Sequence, residues 1–117
     1  MNIRTITKNL ELTTAISDYI AKKVLPLEHL LKNSPPETII DVEVGKDSQH
    51  KKSDGFRAEM SIKLLDKRLY ATAINADLYA AIDKVKDEIL AELKKNSSKK
   101  RDVKRRQASK QKREVKG

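Results

Sequence analysis

Cysteine is absent from the chain, which removes a disulfide framework, a thiol nucleophile and zinc–thiolate ligation at once. Glycine occurs three times, once as the terminal residue, so no glycine-rich loop can cradle a phosphate. Tryptophan is missing and the aromatic rings are only Tyr19, Phe56, Tyr70 and Tyr79. Tyr19 and Phe56 fall on apolar stripes, leaving few rings to stack on splayed bases and arguing against a single-strand platform. No apolar run approaches the roughly 18 residues of a membrane span, and Met1-Asn2-Ile3-Arg4-Thr5 lacks the apolar core of a secretory signal. A cytoplasmic protein without membrane contact is therefore expected. His29 and His50 are the only histidines, and nothing places them with a serine and an acid. Metal-ligand spacing is lacking too. The expectation is no enzyme, no catalytic residue, no metal, no cofactor and no small-molecule substrate.

What the chain has is charge, unevenly placed. The 117 residues carry a formal +9. Residues 1–93 hold 14 basic and 15 acidic side chains, whereas residues 94–117 hold 12 basic ones against Asp102 and Glu114. A nearly neutral domain thus precedes a basic arm, and such an arm implies a polyanionic partner. We divide the chain into a domain of residues 1–95 and a basic tail of residues 96–117. The tail's large apolar residues are only Val103 and Val115, too few to offset the entropy of ordering, so a flexible tail is expected.

Periodicity gives the elements of the domain. Residues 2–7 alternate in part and read as an edge or central strand. Thr13 reads as the N-cap of a helix whose stripe is Ile16, Tyr19, Ile20, Val24, Leu27, Leu30 and Leu31. Pro26 should kink or weaken that helix, and Asn33-Ser34-Pro35-Pro36 should end it. A strand over 38–44 alternates Ile40, Val42 and Val44 with Asp41 and Glu43, and a polar loop containing Lys46, Lys51 and Lys52 follows. In the next strand Phe56, Ala58, Met60, Ile62 and Leu64 point inward. A tight turn at Asp66-Lys67 leads to a strand over 68–74 with Leu69, Ala71 and Ala73 on one face. Asp77 caps a second helix with the stripe Leu78, Ala81, Ile82, Val85, Ile89 and Leu93. The order is β-α-β-β-β-α, an α+β two-layer sandwich with two helices on one face of a four-stranded, largely antiparallel sheet.

With catalysis and base stacking set aside, phosphate-directed recognition of structured RNA fits best. The candidate RNA-binding residues are Lys22, Lys23, Lys84, Lys86, Lys94 and Lys95 on or beside the helices. In the tail they are Lys99, Lys100, Arg101, Lys104, Arg105 and Arg106. Lys23 should lie close to the apolar stripe with its ammonium in water, and Lys84 can pair with Glu88 at i+4. A general structured-RNA-binding accessory protein and a protein-interaction module are the alternative readings.

The segment Asp77-Leu78-Tyr79-Ala80-Ala81-Ile82-Asp83 closely resembles the Asp-Met-Tyr-Ala-Ala-Ile-Asp signature of the ribosome hibernation-promoting factor and ribosome-associated inhibitor (protein Y) family. Glu11-Leu12-Thr13, Leu27-Glu28 and Ser53-Asp54 resemble it too, and the likeness spans residues 1 to about 95. The resemblance implies a fold similar to double-stranded-RNA-binding domains. It also implies a short-form factor, expected to be monomeric off the ribosome, that occupies the tRNA and mRNA channel of the small ribosomal subunit. Such factors inhibit translation and promote hibernation under stress or in stationary phase. Of the family's basic helix positions Lys23 matches, whereas Pro26, Glu88 and Ala91 stand where lysine or arginine is common.

Overall fold

Four strands and two helices alternate as the periodicities require. The computed structural model describes residues 2–47 and 55–96. The elements are β1 (Asn2–Lys8), α1 (Thr14–Leu30), β2 (Ile39–Lys46), β3 (Phe56–Lys63), β4 (Arg68–Asn75) and a helix over residues 78–96, α2. The sheet runs β1-β2-β3-β4, with β1 parallel to β2 and the other pairs antiparallel. A parallel first pair demands a crossover, and α1 supplies it.

Side-chain alternation decides which face is covered. Ile40, Val42 and Val44 of β2, Ala58, Met60 and Ile62 of β3, and Ala71 and Ala73 of β4 are buried on one face. Ile16, Ile20, Val24 and Leu27 of α1 and Leu78, Ala81, Ile82, Val85, Ile89 and Leu93 of α2 join them in one core. This is the two-layer solution in which helices seal one sheet face and the other meets water.

Local chemistry sets the element ends. Thr13 Oγ1 accepts from the Ile16 amide at 3.2 Å, the expected N-cap. Asp77 Oδ1 accepts from the Tyr79 amide at 3.1 Å and caps α2. Asn9 closes β1 in the left-handed region (φ 54°), which asparagine tolerates better than most residues. Gly45 is buried beside the end of β1, where an added Cβ would lie 2.5 Å from the Lys8 carbonyl oxygen.

Four expectations need correction. α1 ends at Leu30, before the Asn33–Pro36 segment, because the buried Leu31 closes the last turn through its amide to the Leu27 and Glu28 carbonyls. Pro26 lies inside α1 without ending it. Leu30, placed on the core stripe, is 38% exposed. In the β3–β4 hairpin the Leu64 amide donates to the Lys67 carbonyl at 2.8 Å, so Leu65 and Asp66 form the tip instead of Asp66 and Lys67. β1 resolves to an edge strand, with Ile3 and Ile6 exposed.

Candidate nucleic-acid interface

Two i, i+4 pairs meet where α1 and α2 lie side by side. Tyr19 and Lys23 share a face of α1, and Tyr79 and Asp83 share a face of α2. The Tyr19 and Tyr79 rings meet edge to face, with centroids 4.8 Å apart. The Tyr19 hydroxyl donates to Asp83 Oδ1 at 2.6 Å, and Lys23 Nζ lies 3.0 Å from the same oxygen. That ammonium also sits 5.3 Å from the Tyr19 ring centroid.

The electrostatics follow from this geometry. The hydrogen bond from Tyr19, joined by the Lys23 charge, holds the Asp83 carboxyl below its ordinary pKa. Asp83 in turn raises the Lys23 ammonium and the Tyr19 phenol above theirs. At neutral pH the cluster is a fixed ion pair with no proton to give or take. Lys23 therefore reaches the surface with its charge already matched.

The other predicted lysines divide. Lys86 is half-buried and 2.9 Å from Asp87. Lys22, Lys84, Lys94 and Lys95 are exposed and make no ion pair among the described residues. The expected Lys84–Glu88 pair is not formed. Lys22 and Lys94 border one groove between the helices, together with Leu25, Pro26, His29, Leu30 and Leu90. Glu88 and Glu92 instead line a depression on the β4 side of α2, with Ala91, Tyr70 and Thr72. One flank of α2 is thus basic and the other acidic. Lys99, Lys100, Arg101, Lys104, Arg105 and Arg106 lie outside the described residues, as do Lys51, Lys52, His50 and Ser53-Asp54.

The open sheet face also carries cations, but matches most of them internally. Arg4 grips Asp41 through two hydrogen bonds, of 2.7 and 3.0 Å. Lys8 Nζ lies 3.1 Å from Glu43 Oε1, and Arg57 pairs with Glu59. Glu43 and Glu59 are direct cross-strand partners, so the cations on either side offset a like-charge rung. Arg4 draws the Asp41 carboxyl below its usual range, and Lys8 does the same to Glu43. The helical face carries the freer lysines and is the candidate phosphate-binding surface.

Sequence reasoning missed Asp83. The signal was available in part: Tyr79 and Asp83 flank the α2 stripe at i, i+4, as Tyr19 and Lys23 flank that of α1. Among the described residues no group of His, Asp or Glu could hold a metal ion, and no helix is long and apolar enough to cross a membrane.

A family model described as sigma 54 modulation protein / S30EA ribosomal protein matches residues 3–101. The chain belongs to this family. The crystal structure of the Thermus thermophilus Protein Y N-terminal domain matches with a TM-score of 0.64 and 33% identity, over 81% of this chain and 98% of that one. The structure of a ribosomal subunit interface protein from Coxiella burnetii has a TM-score of 0.63 and 18% identity, over 84% of this chain and 99% of that one, and shares the fold. Against the basic pattern that the protein Y resemblance implies, Glu88 and Ala91 both fall on the acidic flank of α2. Pro26 lies in the interhelical groove between the two lysines.

Proposed function

We propose that this S30EA-family chain inhibits translation by occupying the tRNA and mRNA channel of the small ribosomal subunit, and so promotes ribosome hibernation under stress or in stationary phase. The observation that carries the reading is the family match over residues 3–101, which spans both helices and their lysines. Lys22, Lys84, Lys94 and Lys95 are the exposed, unmatched cations that would meet phosphates first. Lys23 and Lys86 would follow by exchanging a carboxylate for a phosphate. The tail supplies the long-range attraction, through Lys99, Lys100, Arg101, Lys104, Arg105 and Arg106. Inhibition is then steric occupation and needs no chemistry from the chain.

The test is co-sedimentation with purified small subunits across roughly 50–300 mM salt, with bulk duplex RNA as competitor. Full-length protein is compared with a chain ending at Asn96, whose side chain is buried and belongs with the domain. Saturable one-to-one binding that the competitor leaves in place, with a flatter salt slope for the shortened chain, supports the proposal. Displacement by duplex RNA would mean a general RNA-binding accessory protein instead.

A further inference from the structure

The groove between the C-terminal half of α1 and α2 has a floor unlike an RNA-binding surface. Leu25, Pro26 and Leu30 of α1 and Leu90 of α2 line a hollow of about 610 Å³, and Leu25 is 57% exposed. The polar groups of the lining are Lys22, His29 and Lys94. Contiguous apolar surface with a polar rim marks an interaction site more often than a solvated face.

We infer that this groove docks an acidic, amphipathic peptide segment of a protein partner. The apolar floor takes its leucine-type anchors, and Lys22 and Lys94 take its carboxylates. The charge of the rim selects this occupant over three others. Residues 97–117 carry 10 basic and two acidic side chains, so this chain's own tail is repelled by the rim. A second copy docking through the same groove about a two-fold axis would set Lys22 and Lys94 against their counterparts. RNA would find phosphate donors only at the rim, while leucine and proline side chains offer nothing to a ribose hydroxyl or a base edge. An acidic helix laid between α1 and α2, with apolar residues at i, i+3, i+4 and i+7, satisfies floor and rim together.

The experiment uses the full-length chain and fluorescence anisotropy in about 150 mM salt, near the physiological ionic strength. The probe is a labelled peptide of roughly four helical turns, with leucine at those positions and glutamate between them. A scrambled isomer of identical composition measures attraction to the basic tail alone. The patterned peptide is expected to bind about tenfold more tightly than its isomer, and Leu25→Glu should abolish that difference. Leu25, Lys22 and Lys94 are exposed, so Leu25→Glu and Lys22→Glu/Lys94→Glu should keep the wild-type circular dichroism. The double charge reversal should transfer the preference to a peptide with lysine in place of glutamate. Equal binding of the patterned and scrambled peptides would overturn the inference. So would a Leu25→Glu protein that keeps its peptide preference but loses affinity for duplex RNA, which would make the groove an RNA surface.

Discussion

Asp83→Asn should weaken the fold and strengthen binding to a polyanion, two effects of opposite sign from one atom pair. Asparagine keeps an oxygen for the Tyr19 hydroxyl, so the interhelical hydrogen bond survives in neutral form. Charge-assisted hydrogen bonds are roughly twice as strong as neutral ones, whose net worth is about 1 kcal/mol. The Asp83 side chain is 43% exposed, and solvent screening reduces the difference. The expected loss is about 0.5–1 kcal/mol, or roughly 2–8 °C in Tm for a domain of this size.

The gain comes from Lys23. In the wild-type chain its ammonium is 3.0 Å from a carboxylate that any phosphate must displace. Neutralising Asp83 releases that cation and removes a negative charge from the helical face. One more phosphate neutralised steepens the plot of log K against log salt by about 0.9. The assay is small-subunit binding at four or five salt concentrations, with thermal melts of the same preparations. A variant that melts lower, binds tighter at low salt and shows the steeper slope bears out the argument. An unchanged slope would show that Lys23 meets no phosphate, and weaker binding would mean that Asp83 positions Lys23 for its target.

Gly45→Ala should destabilise: a Cβ 2.5 Å from a backbone oxygen forces overpacking of about 1–3 kcal/mol, more than the roughly 0.4–1 kcal/mol gained from a stiffer unfolded chain. A urea midpoint at or above wild type would contradict the close approach of β1 and β2. Ile82→Ala, at a position with no solvent exposure, should cost about 2–5 kcal/mol in the same titration, whereas Leu25→Ala on the surface should stay within about 0.5. Acid should destabilise through Asp83, Asp41 and Glu43, all held below their ordinary pKa values in the folded state. Their contribution is full above the unfolded carboxylate range near pH 4–4.5 and is lost as pH falls through the lower folded values. Asp41→Asn should flatten that decline, and equal acid sensitivity of the two chains would discount the Arg4–Asp41 pair.

The legible features were those fixed by neighbours in sequence. Alternation at Ile40, Val42 and Val44, and again from Ala58 to Ile62, named the buried sheet face, because period two leaves no third orientation. All six residues of the predicted α2 stripe are buried, and the α1 and α2 caps lie at Thr13 and Asp77. What failed depended on distant contacts. Leu30 continues the α1 periodicity, yet the core beneath the last turn is filled by Leu27 and Leu31. The carboxylate that meets Lys23 is 60 residues away. Its identity follows only once α1 and α2 lie on the same side of the sheet. The edge position of β1 is likewise a property of strand order, invisible in Asn2–Lys8 itself.

The near-neutral total of residues 1–93 conceals a separation of charge that bears on the proposed mechanism. Averaged over the domain, the basic and acidic residues cancel, and composition alone would place no polyanion on it. The structure divides them into matched and unmatched sets. Arg4, Lys8 and Arg57 have carboxylate partners on the open sheet face, and Glu88 and Glu92 lie on the β4 side of α2. Lys22 and Lys94 remain beside the interhelical groove without ion partners. A polyanion responds to local potential, because screening over about 8–10 Å hides charges farther off. On the proposed reading, the tail supplies affinity that is indifferent to position, and the few unmatched helical lysines supply orientation. Moving one carboxylate onto the groove side, as in Ala21→Glu/Lys22→Ala, should then impair small-subunit binding more than deleting one tail lysine, although deleting the tail lysine leaves the smaller net charge change.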